Sequence, residues 1–229
     1  MIDWCGIDTV LLDMDGTLLD LHFDSHFWLE HLPRRYAELH QLDVASQEKL
    51  RARIIGEQGT LNWYSLAYWS RELGVDIVAL KREVQHLIGL RSDALDFLTW
   101  LKQAHPRVVL ATNADRASLA LKLPLTGLES YLDAIISSED VGAAKEEQAF
   151  WFALQEREPF DPARTLFIDD NAHVLESARE FGIKHLLGIK QPDSQRPEKE
   201  LQEFIALDRF AQLLPSNLPG QHSETLGGR

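Results

Sequence analysis

Thr9-Val10-Leu11-Leu12-Asp13-Met14-Asp15-Gly16-Thr17 decides how the chain is read. Thr9 to Leu12 is a short, apolar, partly β-branched run of the kind that forms a strand buried on both faces of a parallel sheet. Asp13 and Asp15 therefore emerge where that strand ends, two residues apart. Gly16 follows, free to take positive φ or to let another group approach the backbone. In open α/β sheets the carboxyl ends of the strands form the edge at which ligands bind. An acidic pair on that edge is a candidate functional site.

Working outward, the pattern turns helical from about residue 24 to residue 89. Phe27, Trp28, His31 and Leu32 predict a first helix bent near Pro33, and Tyr36, Leu39 and Leu42 continue its stripe. Asp43 is placed to cap a helix carrying Leu50, Ile54 and Ile55, which Gly56 and Gly59 end. Asn62 precedes the aromatic run Trp63 to Trp69, stopped at Gly74, and Asp76 starts a last stretch with Ile77, Leu80, Val84 and Leu87. About four helices joined by short turns make a small bundle.

Strands and helices alternate from Ser92 onward. Arg107–Ala111, Leu132–Ser137, Thr165–Ile168 and His185–Ile189 read as strands, with helices between them. With Thr9–Leu12 these give about five strands, an α/β, doubly wound (Rossmann-like) parallel sheet with an inserted α-helical cap. The expected organisation is a core over 1–22 and 90–214, a helical cap over 23–89, and a disordered tail over 215–229. Pro197 to Leu214 reads as a closing helix, and Glu146 to Arg157 as a helix that Lys145 opens.

The 229 residues are 45% hydrophobic, enough for a full core with a smaller second unit. Acidic residues outnumber basic ones by 36 to 23, a formal charge of −13, which repels a nucleic-acid polymer. Cys5 is the sole cysteine, so no intrachain disulfide forms and a reducing cytoplasm fits. No signal-peptide pattern opens the chain and no apolar run has membrane-spanning length. The expectation is a cytoplasmic protein with no membrane partner.

Polar groups follow four of the strands: Asp13 and Asp15, then Thr112-Asn113, then Lys145, then Asp169-Asp170. Each alone reads more readily as a helix cap or turn former. In a parallel sheet all four groups reach one edge, and together they supply what phosphate chemistry needs. A carboxylate can attack phosphorus, and a second carboxyl such as Asp15 can serve a leaving oxygen as general acid and then a water as base. Thr112 and Asn113 offer donors to a phosphoryl oxygen. Lys145, at a helix start, is disfavoured by the helix dipole unless an anion lies near. Hard oxygen ligands without a His/Cys cluster select Mg2+.

Asp13-Met14-Asp15-Gly16-Thr17, with Thr112, Lys145 and Asp169-Asp170, resembles the four-motif signature of the haloacid dehalogenase (HAD) superfamily, over about Ile7 to Pro192. A closer resemblance is to the bacterial GMP/IMP 5′-nucleotidases of that superfamily. It is carried by Thr9 to Leu21, by Thr60-Leu61-Asn62-Trp63-Tyr64 with Tyr68-Trp69-Ser70 and Leu73-Gly74, by Thr165 to Asp170, and by Pro192-Asp193-Ser194. The resemblance implies that Asp13 is a nucleophile forming an aspartyl-phosphate, with Asp15 as acid and base. It implies Mg2+ held by the Asp13 carboxylate, the Asp15 carbonyl and Asp170, with Asp169 acting through water. Met14, Gly16, Thr112, Asn113 and Lys145 would hold the substrate phosphate. Two departures stand out: Glu146-Glu147 where many relatives have Pro, and Val174 where others carry a further Asp.

The implied substrate is a small phosphate ester, a purine nucleoside monophosphate. Alternatives are a sugar-phosphate phosphatase, a phosphomutase using the same aspartate, or a non-catalytic module that binds a phospho-ligand. Trp63 and Tyr64 are candidates for stacking on a base, although an aromatic stripe at this spacing also reads as bundle core. His22, His26 and His31 are expected at the hinge or the surface.

Overall fold

β1 (Thr9–Leu12) is buried along its whole length, as its apolar run requires. The computed structural model describes residues 2–215 except 105 and 202. After β1 the chain forms α1 (His22–His26), a π-helical turn over Phe27–His31, then α2 (Leu32–His40), α3 (Val44–Gly56), α4 (Leu61–Tyr64), α5 (Leu66–Leu73) and α6 (Ile77–Glu83). Next come α7 (Ala94–Ala104), β2 (Arg107–Thr112), α8 (Arg116–Thr126), β3 (Ala134–Ser137), α9 (Ser138–Val141) and α10 (Gln148–Arg157). The chain continues through β4 (Thr165–Asp169), α11 (Ala172–Phe181), β5 (His185–Ile189) and β6 (Ala206–Leu207).

The six strands form one parallel sheet in the order β3-β2-β1-β4-β5-β6. The chain winds one way from β1 through β2 to β3 and the other way from β4 onward, so β1 stands at the switch point. Leu12 pairs with Leu110 on one side and Ile168 on the other. Side chains alternate between faces. Val10, Leu12, Val108, Leu110, Leu166 and Ile168 pack with Phe97, Leu98 and Leu101 of α7 and with Leu119 of α8. Leu11, Val109, Ala111 and Phe167 pack on the other face with Phe150, Trp151 and Leu154 of α10 and Val174, Leu175 and Ala178 of α11.

The helices from α1 to α6 have an apolar cluster of their own, built on Phe23, Phe27, Leu32, Ile54, Leu66, Trp69, Leu73 and Ile77, and Leu121 of α8 joins it. Asp43 and Asp76 cap their helices as expected, accepting from Ser46 N and Ala79 N, both at 2.9 Å. The irregularity expected near Pro33 is present. Pro33 sits in the first turn of α2, and the chain widens into the π-turn just ahead of it. Proline has no N–H to close the preceding turn, so the widening precedes it. His31 is not at the surface: it is 4% exposed, packed on Phe27 and paired with Glu83 at 2.9 Å.

Three further expectations change. The stretch Pro197 to Leu214 is not a closing helix; among the described residues it runs as loop, then β6, then a single 3-10 turn over Phe210–Leu213. Backbone pairing of Ile189 with Leu207 extends the sheet by one strand, and Leu201 covers Gly188 so closely that a Cβ there would lie 2.1 Å from Leu201 Cδ1. β3 starts at Ala134 rather than Leu132, because the Asp133 carboxylate takes the Val108 N–H at 2.7 Å. Of the expected tail over 215–229, residues 216–229 lie outside the described residues. Among the described residues no helix is long and apolar enough to cross a membrane.

Candidate active site

Asp13 is the first residue past β1, and its N–H bonds Ile168 O at 3.0 Å, so the ladder to β4 ends on it. Its neighbour across that pair is Asp169, the last residue of β4. The Lys145 ammonium enters between them, donating to Asp13 Oδ1 and Asp169 Oδ2, each at 2.6 Å. All three residues are buried, at 5%, 1% and 2% exposure for Asp13, Asp169 and Lys145. The anion that a cation at this position demanded is thus present twice over. Lys145 does not open a helix, however. It lies in the turn before α10, after the unforeseen α9, and Asn113 Oδ1 fixes it by accepting its N–H at 2.9 Å.

Asn113 also donates through Nδ2 to Glu146 Oε2 at 2.9 Å, and Tyr64 Oη donates to Glu146 Oε1 at 2.8 Å. Glu146, noted in the sequence only as a departure, thereby joins α4 to the sheet edge. Thr112 ends β2, its hydroxyl accepting Ala114 N–H at 3.0 Å, which leaves the hydroxyl proton for an acceptor in the cavity. Asp115, not Thr112 or Asn113, caps α8, and Asn171, not the acidic pair, caps α11. The capping alternatives for Thr112-Asn113 and Asp169-Asp170 therefore fall away.

Gly16 has φ +91°, and a Cβ on it would lie 2.7 Å from Asp170 Cγ. Both reasons for a glycine at this position apply at once. Asp170 Oδ2 meets Lys199 Nζ at 3.0 Å. Met14 gives its side chain to the core, so only its main chain faces the site.

Asp15 points to a different partner, Lys122 of α8, at 2.7 Å. Lys122 also donates to Asp24 of α1 at 2.6 Å, and Lys81 of α6 donates to Asp24 at 2.7 Å. These three residues were not foreseen. The sequence signal for the two lysines was their place on an apolar helical stripe: Lys81 follows Ile77 by four and precedes Val84 by three, and Lys122 follows Leu119 by three.

Burial pushes the Asp13 carboxyl above its ordinary pKa against the pull of Lys145, with Asp170 adding to the rise. Burial likewise raises Asp169 well above its ordinary value. Burial brings Asp15 up to about 6, with Lys122 opposing and Asp24 adding. For Asp24 burial is outweighed by Lys122 and Lys81, which bring it down to about 2.

Oxygens of Asp13, Asp169 and Asp170 lie within 4.8 Å of one another, and Asp13 Oδ2 is buried without a hydrogen-bond partner. Three carboxylates with one buried lysine between two of them leave a net negative, oxygen-lined site. That donor set fits a divalent cation such as Mg2+.

The site opens into a cavity of about 1100 Å³, whose lining also includes Trp28, Trp63, Tyr64, Lys81 and Lys122. The aromatic stripe divides. Phe27 and Trp69 are fully buried as bundle core, whereas Trp63 and Tyr64 are half-buried at the cavity. Trp63 packs against Trp28 with ring centroids 5.4 Å apart and the ring planes tilted by 34°.

A buried aspartate stands at the switch point of a doubly wound sheet, with a lysine and an acidic pair against it. The chain belongs to the haloacid dehalogenase-like hydrolases, whose family profile matches residues 7–182. It is 42% identical over 216 residues to the GMP/IMP nucleotidase YrfG of Escherichia coli K12, covering 94% of this chain and 97% of that protein. It is 23% identical to a phosphorylated carbohydrates phosphatase of Thermotoga maritima, over 80% of this chain and 85% of that one. The crystal structure of a HAD phosphatase from Thermococcus onnurineus superposes with a TM-score of 0.75 at 20% identity, covering 90% of this chain and 96% of that one.

Proposed function

We propose that the chain hydrolyses a purine nucleoside 5′-monophosphate, GMP or IMP, to nucleoside and phosphate through an aspartyl-phosphate on Asp13. The observation that carries the chemistry is the Asp13–Lys145–Asp169 contact, with an Asp13 oxygen left free. The identity of 42% to a GMP/IMP nucleotidase supports the substrate.

An oxygen of Asp13 attacks phosphorus as the bond to the nucleoside oxygen breaks, and the Asp15 proton passes to that oxygen. A water then attacks the aspartyl-phosphate, gives its proton to Asp15, and frees phosphate and Asp13. A carboxyl brought up to about 6 suits both transfers near neutral pH. Lys145, the Thr112 hydroxyl and the main chain of Met14 hold the phosphoryl oxygens and stabilise their charge, whereas the Gly16 N–H already bonds Leu19 O at 2.9 Å.

Asp13, Asp170 and the Asp15 carbonyl would hold Mg2+. Asp169 is already committed to Lys145 and to the Asn171 N–H at 2.8 Å, whereas among the described residues Asp170 meets only half-exposed Lys199. When bound, Mg2+ supplies positive charge against the phosphate and the nucleophile. The helices over 23–89 act as the cap that roofs the cavity, above a core of 1–22 and 90–214. Trp63 supplies the flat surface for the base, and Tyr64 closes the chamber through Glu146.

Phosphate release measured across GMP, IMP, AMP and sugar phosphates, with and without Mg2+, tests this reading. Turnover of GMP and IMP that requires Mg2+ is expected. A preference for sugar phosphates would overturn the substrate.

A further inference from the structure

Lys122, Asp24 and Lys81 take no part in the reaction just described, yet they form a buried chain of charge that ends on Asp15. Lys122 is 1% exposed and spans Asp15 Oδ1 at 2.7 Å and Asp24 Oδ2 at 2.6 Å. Lys81 holds the other oxygen of Asp24 at 2.7 Å. Its ammonium lies 5.0 Å from the ring centroids of Phe23 and Phe27 and 5.3 Å from that of Trp28. Asp15 and Lys122 belong to the sheet unit, Asp24 and Lys81 to the helical segment, so the Lys122–Asp24 bond joins the two.

Stability alone does not require this run of buried charges. Replacing a buried ion network by apolar side chains of similar size is often neutral or stabilising. Geometry supplies the reason. Among the described residues Lys122 is the only side chain hydrogen-bonded to the Asp15 carboxylate, and Asp15 borders the cavity. Lys122 therefore fixes the direction in which Asp15 faces, and Asp24, itself held by Lys81, fixes Lys122.

We infer that Lys122 is a positioning residue for proton delivery by Asp15, itself oriented from the helical segment by Asp24 and Lys81. The inference rests on the reading of Asp15 as general acid. As the bond from phosphorus to the leaving oxygen breaks and the bond to Asp13 forms, a proton leaves Asp15 for that oxygen. Asp15 becomes a carboxylate within hydrogen-bond reach of an ammonium that keeps its own protons throughout. Lys122 thus also stabilises the charge that the transfer creates.

The test compares kcat/KM for phenyl phosphate and p-nitrophenyl phosphate, similar in shape but unequal in leaving group. The nitrophenolate departs without a proton, so acid assistance matters for the phenyl ester alone. kcat/KM reports only the steps through formation of the aspartyl-phosphate, provided that formation is effectively irreversible. In Lys122→Met, kcat/KM is expected to fall about 10- to 100-fold for phenyl phosphate and less than about 3-fold for p-nitrophenyl phosphate. Lys122→Arg should restore most of the difference, and Asp24→Asn should show it in weaker form.

The ratio of the two constants does not depend on the folded fraction, so partial misfolding neither mimics nor hides the effect. Should Lys122→Met prove insoluble, Asp24→Asn carries the same test. Equal losses on both esters, or none, would overturn the inference. Asp15→Asn separates the two claims. If it too loses equally on both esters, the general-acid reading fails. If it discriminates while the Lys122 and Asp24 variants do not, only the positioning role fails.

Discussion

Lys145 faces two buried carboxylates with one charge, and a third lies beside them, so the site is built around an excess of negative charge. In the proposed reaction Asp13 is the nucleophile, and Lys145 and the end of the β1–β4 ladder hold it in place. Asp13→Asn should therefore lower phosphate release by at least about a thousandfold while leaving the fold intact by circular dichroism. Gly16 makes an independent prediction. Its φ of +91° and the 2.7 Å from a built Cβ to Asp170 Cγ leave no room for alanine. Gly16→Ala should cost about 2 kcal/mol in urea unfolding and lower kcat about tenfold or more by displacing Asp170. Unchanged activity would mean that Asp170 is not needed where it stands.

The helical segment contributes to the site through two different elements. α4 places Trp63 at the cavity, and if a purine stacks there, Trp63→Leu should raise KM for GMP about tenfold and leave ribose 5-phosphate nearly unchanged. Equal effects on both would remove the stacking role. α1 contributes Asp24, held between Lys122 and Lys81. Burial opposes its charge, but the two lysines bring its carboxyl down to about 2 from the ordinary 3.8. A group depressed in the folded state stabilises above its unfolded pKa, so this contribution is complete above about pH 4 and vanishes as pH falls through about 2. Its size is on the order of 2 kcal/mol. Asp24→Asn should destabilise by about 3 kcal/mol at neutral pH, because two buried lysines lose their anion. Urea midpoints followed from pH 6 to pH 2 should converge for the two proteins at the acid end; parallel curves would contradict the linkage.

Across the whole molecule, the doubly wound sheet brings groups from four distant stretches to one edge, and that much was legible in the sequence. Runs such as Thr9–Leu12 and Thr165–Ile168 are apolar enough to be read as buried strands, and the acids that follow them land where the topology sends them. β6 was not legible because two residues carry no period. Lys145 was expected for the wrong local reason: neighbouring carboxylates and Asn113 hold it, not a helix end. The pairing of Lys122 with Asp15 and Asp24 joins residues 107 and 98 positions apart, and only the lysines on apolar stripes hinted at it. Periodicity marked the aromatic run but not which of its rings leave the core for the cavity.

Mg2+ should raise the thermal midpoint of the whole chain. A cation at about 100 times its Kd adds about 2.7 kcal/mol, and Asp170→Asn should lose most of that shift.

The most direct measurement of the central claim is steady-state phosphate release from GMP in Mg2+, by the wild type and by Asp13→Asn, with ribose 5-phosphate alongside. The wild type is expected to prefer GMP by about tenfold or more in kcat/KM, with Asp13→Asn silent on both substrates. Release by Asp13→Asn at the wild-type rate, or an equal rate on ribose 5-phosphate, would contradict it.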